Sequence, residues 1–190
     1  MRISDWSSDV CSSDLTVLLV GGSLGARTIN RSVMEHLDLV ANTDVQFIWQ
    51  TGKFYNQQIM DFMKGRELPN LKIMDFIGDM GAAYKASDLV ISRAGASSIS
   101  EFQLIGKPVI LVPSPNVAED HQTKNAMALV DKEAALCVRD ADAPDTLLKL
   151  ALETIADDKK LKALGENARK MGLQNAADVI ADEVLGLVKD

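Results

Sequence analysis

From residue 16 onward, short runs of β-branched and aliphatic residues alternate with longer stretches in which apolar side chains return every three or four positions. The short runs, 16–20, 45–50, 71–75, 89–92, 109–112 and 135–138, predict six strands. They are apolar almost throughout, as strands buried on both faces of a sheet must be. Between the first two, Ile29, Val33, Leu37 and Val40 fall on one face and predict a single helix. Further helices are expected at 55–64, 80–86 and 98–105, the last stopped by Gly106-Lys107-Pro108. After residue 143 the strands cease and two or three helices close the chain, the final one carrying Ala176, Val179, Ile180, Val184, Leu187 and Val188 at helical spacing. This alternation predicts the α/β class: a Rossmann-like, doubly wound parallel sheet with a helical C-terminal tail.

Composition narrows the function classes. The 190 residues carry 20 Lys and Arg against 27 Asp and Glu, a net charge of −7. There is no basic field to hold a nucleic-acid backbone, so no nucleic-acid partner is expected. No stretch reaches the roughly 18 consecutive apolar residues of a spanning helix, so no transmembrane segment is expected. Cys11 and Cys137 form neither a CxxC pair nor a disulfide framework, which points to a reducing, cytoplasmic setting. Residues 1–15, with their Ser-Asp repeats and no apolar core, read as a non-native leader rather than a signal peptide, leaving 16–190 as one domain.

Three segments could carry chemistry. The turn after the first strand is Gly21-Gly22-Ser23-Leu24-Gly25-Ala26, where glycines let backbone approach a pyrophosphate and the following helix offers unpaired N–H groups. The same glycines also serve a tight turn. The dinucleotide fingerprint fails in detail: its first glycine falls on Val20, and the second strand ends in Gln50-Thr51-Gly52 rather than an acid. The second segment, Ser92-Arg93-Ala94-Gly95-Ala96-Ser97-Ser98-Ile99-Ser100-Glu101, follows the fourth strand at the expected switch point of the sheet. Arg93 could offset phosphate charge, Ser97 and Ser98 add hydroxyls, and Glu101 could accept both hydroxyls of a ribose. Ser98-x-x-Glu101 is equally a capping box serving its own helix. The third segment follows the fifth strand and carries Gln122 and Asn125, whose amides suit sugar hydroxyls or simply a solvated first turn. His36, expected on a solvated helix surface, and His121 lack a nucleophile at motif spacing, and no metal-ligand spacing occurs. Asp157-Asp158 reads as an acidic helix start.

Taken in order, Gly21 to Arg27, Asp75 to Tyr84, Ser92 to Glu101 and His121 to Ala126 resemble the C-terminal domain of the MurG family of peptidoglycan N-acetylglucosaminyltransferases, over residues 16 to 190. That family has the glycosyltransferase B architecture, two Rossmann-like domains facing across a cleft. The resemblance implies transfer of N-acetylglucosamine from UDP-N-acetylglucosamine to lipid I, giving lipid II, with inversion and without metal or other cofactor. It implies that Gly22 and Ser23 meet the diphosphate, that the Ile77 backbone reads the uracil, and that Ala96, Ser97, Ser98, Ile99 and Ser100 present amides and hydroxyls to phosphate and sugar. Arg93 would stabilise the leaving UDP, Glu101 would take the ribose, and Gln122, with Asn125 behind it, would hold the sugar. Leu24 and Ala94 depart from the polar residues expected there. The loop with the general base and the acceptor site belong to the family's N-terminal domain, so no catalytic residue is assigned in this chain, and the full-length enzyme would sit peripherally on the cytoplasmic face of the membrane. A UDP-N-acetylglucosamine 2-epimerase-like half and a stand-alone UDP-sugar-binding module are the competing readings.

Overall fold

The protein is described by a computed structural model covering residues 15–22 and 24–187, so the expected leader, but for Leu15, lies outside the described residues. Six parallel strands form one sheet in the order β3-β2-β1-β4-β5-β6: β1 (Thr16–Val20), β2 (Gln46–Gln50), β3 (Leu71–Met74), β4 (Leu89–Ser92), β5 (Val109–Leu111) and β6 (Leu136–Cys137). The chain starts in the middle, winds outward through β2 and β3, then returns beside β1 and winds the other way. The seam between β1 and β4 is therefore the switch point, where crossovers leave in opposite directions and a crevice opens beyond the strand ends.

Side chains of β1 alternate between two cores, one on each face. Val17 and Leu19 join Ile29, Val33, Leu147, Ala151 and Ile155 on one side. Leu18 and Val20 join Ile99, Phe102, Ala126 and Leu129 on the other. The first core is covered by α1 (Arg27–Glu35) and α7 (Ala143–Ile155), and the second by α5 (Ala96–Ile105) and α6 (His121–Val130).

The single helix expected over 29–40 is two, α1 and α2 (Leu37–Ala41), broken at His36. His36 adopts φ −128° and its N–H bonds Val33 O at 3.2 Å, a tightened final turn that ends the α-helical ladder. All four apolar positions stay in phase across the break, which hides it from the pattern. His36 is correspondingly half-buried rather than solvated, and its Nε2 has no hydrogen-bond partner among the described residues.

α3 (Asn56–Phe62) and α4 (Met80–Lys85) follow β2 and β3, and Asp79 caps α4 by accepting from Ala82 N–H at 2.9 Å. α8 (Asp158–Met171) starts as expected on an acid, the Asp157 carboxylate accepting from Lys160 N–H at 3.0 Å. α9 (Ala176–Leu187) buries none of its residues, and Val179, Ile180 and Val184 stay exposed. No helix of the described residues is long and apolar enough to cross a membrane.

Candidate functional site

At the carboxyl ends of β1, β4 and β5 two cavities adjoin, and Gly22 lines both. The smaller, about 210 Å³, lies between Gln50, Phe76, Ile77, Tyr84, Ser98 and Glu101. The larger, about 710 Å³, is bounded by the glycine turn, Thr28, Tyr55, Arg93, Ser114, Asn116, Gln122 and Asp140. A separate hollow of about 580 Å³ along β3 is walled by Met60, Met63, Leu68 and Ile73 with Lys64, Arg66 and Glu67 beside them, and lies away from the strand ends at the switch point.

The glycine turn is held from below by buried polar groups. Asn30, in α1, accepts from the Trp49 indole N–H at 2.9 Å and donates to Thr51 O at 2.9 Å, and it is itself 3% exposed. This fully paired chain ties α1 to the end of β2 and fixes the two turns against each other. The closeness is backbone on backbone: a Cβ on Gly52 would lie 2.2 Å from Gly25 N, and one on Gly25 would lie 2.2 Å from Thr51 O.

α1 and α5 both open onto this region without a side-chain cap. The capping-box expectation for Ser98 fails. The helix starts two residues earlier, at Ala96, on the extended backbone of Gly95, so Ser98 sits inside its first turn. Glu101 therefore has no capping duty. Its Oε2 instead accepts from the Tyr84 hydroxyl at 2.9 Å.

The fates of the other expected residues differ. Gly22, Ile77, Ser98 and Glu101 come together in the smaller cavity, and Gly22, Arg93 and Gln122 in the larger. Ser23 lies outside the described residues. Ala96 and Ser97 are exposed at the start of α5, Ile99 packs into the core, and the Ser100 hydroxyl donates to Ala96 O at 3.1 Å. Asn125 Nδ2 donates to Ala94 O at 3.2 Å, bracing α6 against the turn that begins α5. Gln122 Oε1 accepts from Ser114 N–H at 2.8 Å, which fastens the loop after β5 to α6.

Arg93 is not a free cation. Its Nη1 donates to Val112 O at 3.0 Å, to Pro113 O at 3.2 Å and to Asp140 Oδ1, and the Asp140 Oδ2 accepts from Thr28 Oγ1 at 2.9 Å. Asp140, unnoticed in the sequence, thus joins the start of α1 to the ends of β4 and β5 across a pair only about one-fifth exposed. Asp140→Asn keeps the shape but removes the charge. It is expected to destabilise the protein by about 1.5–3 kcal/mol, the usual worth of a hydrogen bond to a charged group. Thermal unfolding checks this; unchanged stability would mean that the two carbonyls alone hold Arg93.

Around the smaller cavity, Phe76 is 45% exposed beside the buried Ile77, and the Lys53 ammonium lies 5.4 Å from its ring centre. An exposed aromatic face next to fixed backbone is a surface on which a planar base can stack. Burial of Tyr84, and then the Glu101 carboxylate beside it, push the phenol's pKa well up, so the hydroxyl stays a donor.

Strand order, switch-point crevice and polar cavity define a Rossmann-like α/β domain of the glycosyltransferase B type. A sequence model of the glycosyltransferase family 28 C-terminal domain matches residues 16–182, and the chain belongs to that family. It is 60% identical over 176 residues to a protein of Bacteroides thetaiotaomicron named UDP-N-acetylglucosamine--N-acetylmuramyl-(pentapeptide) pyrophosphoryl-undecaprenol N-acetylglucosamine transferase, covering 92% of this chain and 47% of that protein. A protein of the same name from Cytophaga hutchinsonii is 45% identical over 173 residues, covering 91% of this chain and 46% of the other. The chain spans about half the length of the curated relatives it matches. Among solved structures, MurG of Acinetobacter baumannii superposes with a TM-score of 0.76 at 29% identity, over 92% of this chain and 52% of that one. A UDP-N-acetylglucosamine 2-epimerase superposes at 0.64 with 15% identity over 92% of this chain and 43% of that one, a likeness of fold alone.

Proposed function

We propose that this chain is the donor-binding half of an inverting N-acetylglucosaminyltransferase, taking N-acetylglucosamine from UDP-N-acetylglucosamine to lipid I in peptidoglycan synthesis. The observation that carries the reading is the meeting at Gly22 of a cavity bearing a carboxylate and an aromatic face with a larger polar one, beside the uncapped start of α1. The uracil stacks near Phe76 with its edge on the Ile77 backbone, and the ribose diol lies on Glu101. The diphosphate passes over Gly22 toward the first turns of α1 and α5. The sugar fills the larger cavity beside Gln122, with Asn125 and Arg93 bracing the segments around it.

As the glycosidic bond breaks, negative charge grows on the departing UDP. Helix N-terminal amides aimed at that charge stabilise it more than they stabilise the intact donor, which is how such a half contributes to rate. The base that activates the acceptor hydroxyl and the lipid I site belong to the other half of the enzyme, which works peripherally at the cytoplasmic face of the membrane. Residues 16–190 act as one UDP-sugar-binding unit.

The test is a calorimetric titration of the chain with UDP-N-acetylglucosamine, UDP-glucose, ADP-glucose and NAD. UDP-sugars are expected to bind and the other two to bind far more weakly; preference for NAD overturns the reading. Gln122→Ala is expected to narrow the preference between UDP-N-acetylglucosamine and UDP-glucose by about two- to tenfold, the scale of a neutral hydrogen bond worth about 0.5–1.5 kcal/mol, while leaving affinity for UDP, which lacks the sugar, nearly unchanged. An equal loss for UDP would place Gln122 away from the sugar.

A further inference from the structure

Glu101 lies on the exposed side of α5, where a carboxylate on two methylenes would ordinarily sample several rotamers. Such a group binds a diol poorly, because ordering it on binding offsets much of each hydrogen bond formed. Here the rotamer has a fixed partner. Tyr84 comes from the last turn of α4, a helix whose start is set by the Asp79 cap. Tyr84 is 9% exposed, and its ring meets the ring of the fully buried Phe102 edge to face, with centroids 5.7 Å apart. Phe102 directly follows Glu101, so the residue that anchors the phenol ring adjoins the one that its hydroxyl grips. At the cavity wall the phenol hydroxyl donates to Glu101 Oε2 at 2.9 Å, its acceptor among the described residues.

Resting on the ribose assignment above, we propose that Tyr84 is the positioning residue of the nucleoside site: it holds the Glu101 carboxylate in one orientation, and that orientation is what selects a vicinal diol. An ionised carboxylate has about four acceptor positions. Tyr84 takes one, which leaves enough for both ribose hydroxyls. The pinned group then presents two oxygens at a set spacing, and a ligand with one hydroxyl missing strands part of it.

Titrations of UDP and 2′-deoxy-UDP into the full chain test the idea with Tyr84→Phe, Glu101→Gln and the double variant. Phenylalanine keeps the packing on Phe102 and removes only the hydroxyl. Tyr84→Phe is expected to weaken UDP by about three- to tenfold, the scale of freeing one Glu side chain, while 2′-deoxy-UDP changes less. In the Glu101→Gln background the tyrosine substitution is expected to change neither ligand further. Glu101→Asp, which draws the carboxylate back from the hydroxyl with Tyr84 in place, is expected to narrow the same ratio.

A purely structural role for Tyr84 would lower the melting temperature or weaken both nucleotides alike, and leave their ratio where it was. That result, with Glu101→Gln still abolishing the preference for UDP, overturns the positioning role alone. A UDP to 2′-deoxy-UDP ratio untouched by Glu101→Gln overturns the ribose assignment itself, and the proposal with it.

Discussion

Replacing Gly52 with alanine is expected to lower the melting temperature by roughly 5–20 °C and to weaken UDP-sugar binding as the turn after β1 is displaced. Gly52 has φ +79°, where an L side chain costs about 1–2 kcal/mol. Its Cβ would also stand 2.2 Å from Gly25 N and 2.3 Å from Gly25 Cα, so the turn after β1 must move. Overpacking of this kind adds about 1–3 kcal/mol, and the neighbour here is backbone with no rotamer to swing aside. Gly65 supplies the control. It has φ +73° and nothing within 4 Å of its Cβ position, so Gly65→Ala shows the backbone cost alone. Melting scans of the two variants separate the effects. Equal shifts would show that the contact between the turns carries no energy.

Glu101→Ala is expected to weaken UDP-N-acetylglucosamine by about 10- to 100-fold, the equivalent of roughly 1.5–3 kcal/mol for hydrogen bonds to a charged acceptor. The melting temperature should hold, because α5 begins at Ala96 on Gly95 and owes nothing to a Ser98–Glu101 capping box. The substitution also leaves the Tyr84 hydroxyl without its acceptor, at the mouth of a cavity where water can replace it. Binding by calorimetry and unfolding by heat must therefore diverge. A variant that melts early yet binds normally would return Glu101 to a structural role.

How much of this was legible in the sequence depended on the range of the interaction. The strands were readable because parallel strands covered on both faces must be apolar at nearly every position, and Leu89–Ser92 needed no correction. The helix break at His36 was not, since Ile29, Val33, Leu37 and Val40 keep one phase across it. The start of α5 was misread because Ser98-x-x-Glu101 imitates a cap, while the true start, Gly95-Ala96, uses backbone alone. The glycine turn, Glu101 and Gln122 lie in local motifs, and the structure brings them to the walls of the two cavities. Tyr84 meets Glu101 across 17 positions and Arg93 meets Asp140 across 47, and no local pattern records either pairing.

Among the described residues the two cavities share one wall residue, Gly22, and a Cβ there would meet nothing within 4 Å. In the proposed reading that open space is spanned by the diphosphate, so nucleoside and sugar are two weak ligands joined by a short tether. Once the nucleoside end has docked, the sugar end faces its cavity at a high effective concentration, and the joined molecule binds more tightly than either part. Transfer cuts the tether. UDP then holds its place by the nucleoside and diphosphate contacts without the sugar's, the sugar leaves with the acceptor, and part of the affinity that gathered the donor is dismantled by the reaction that consumes it.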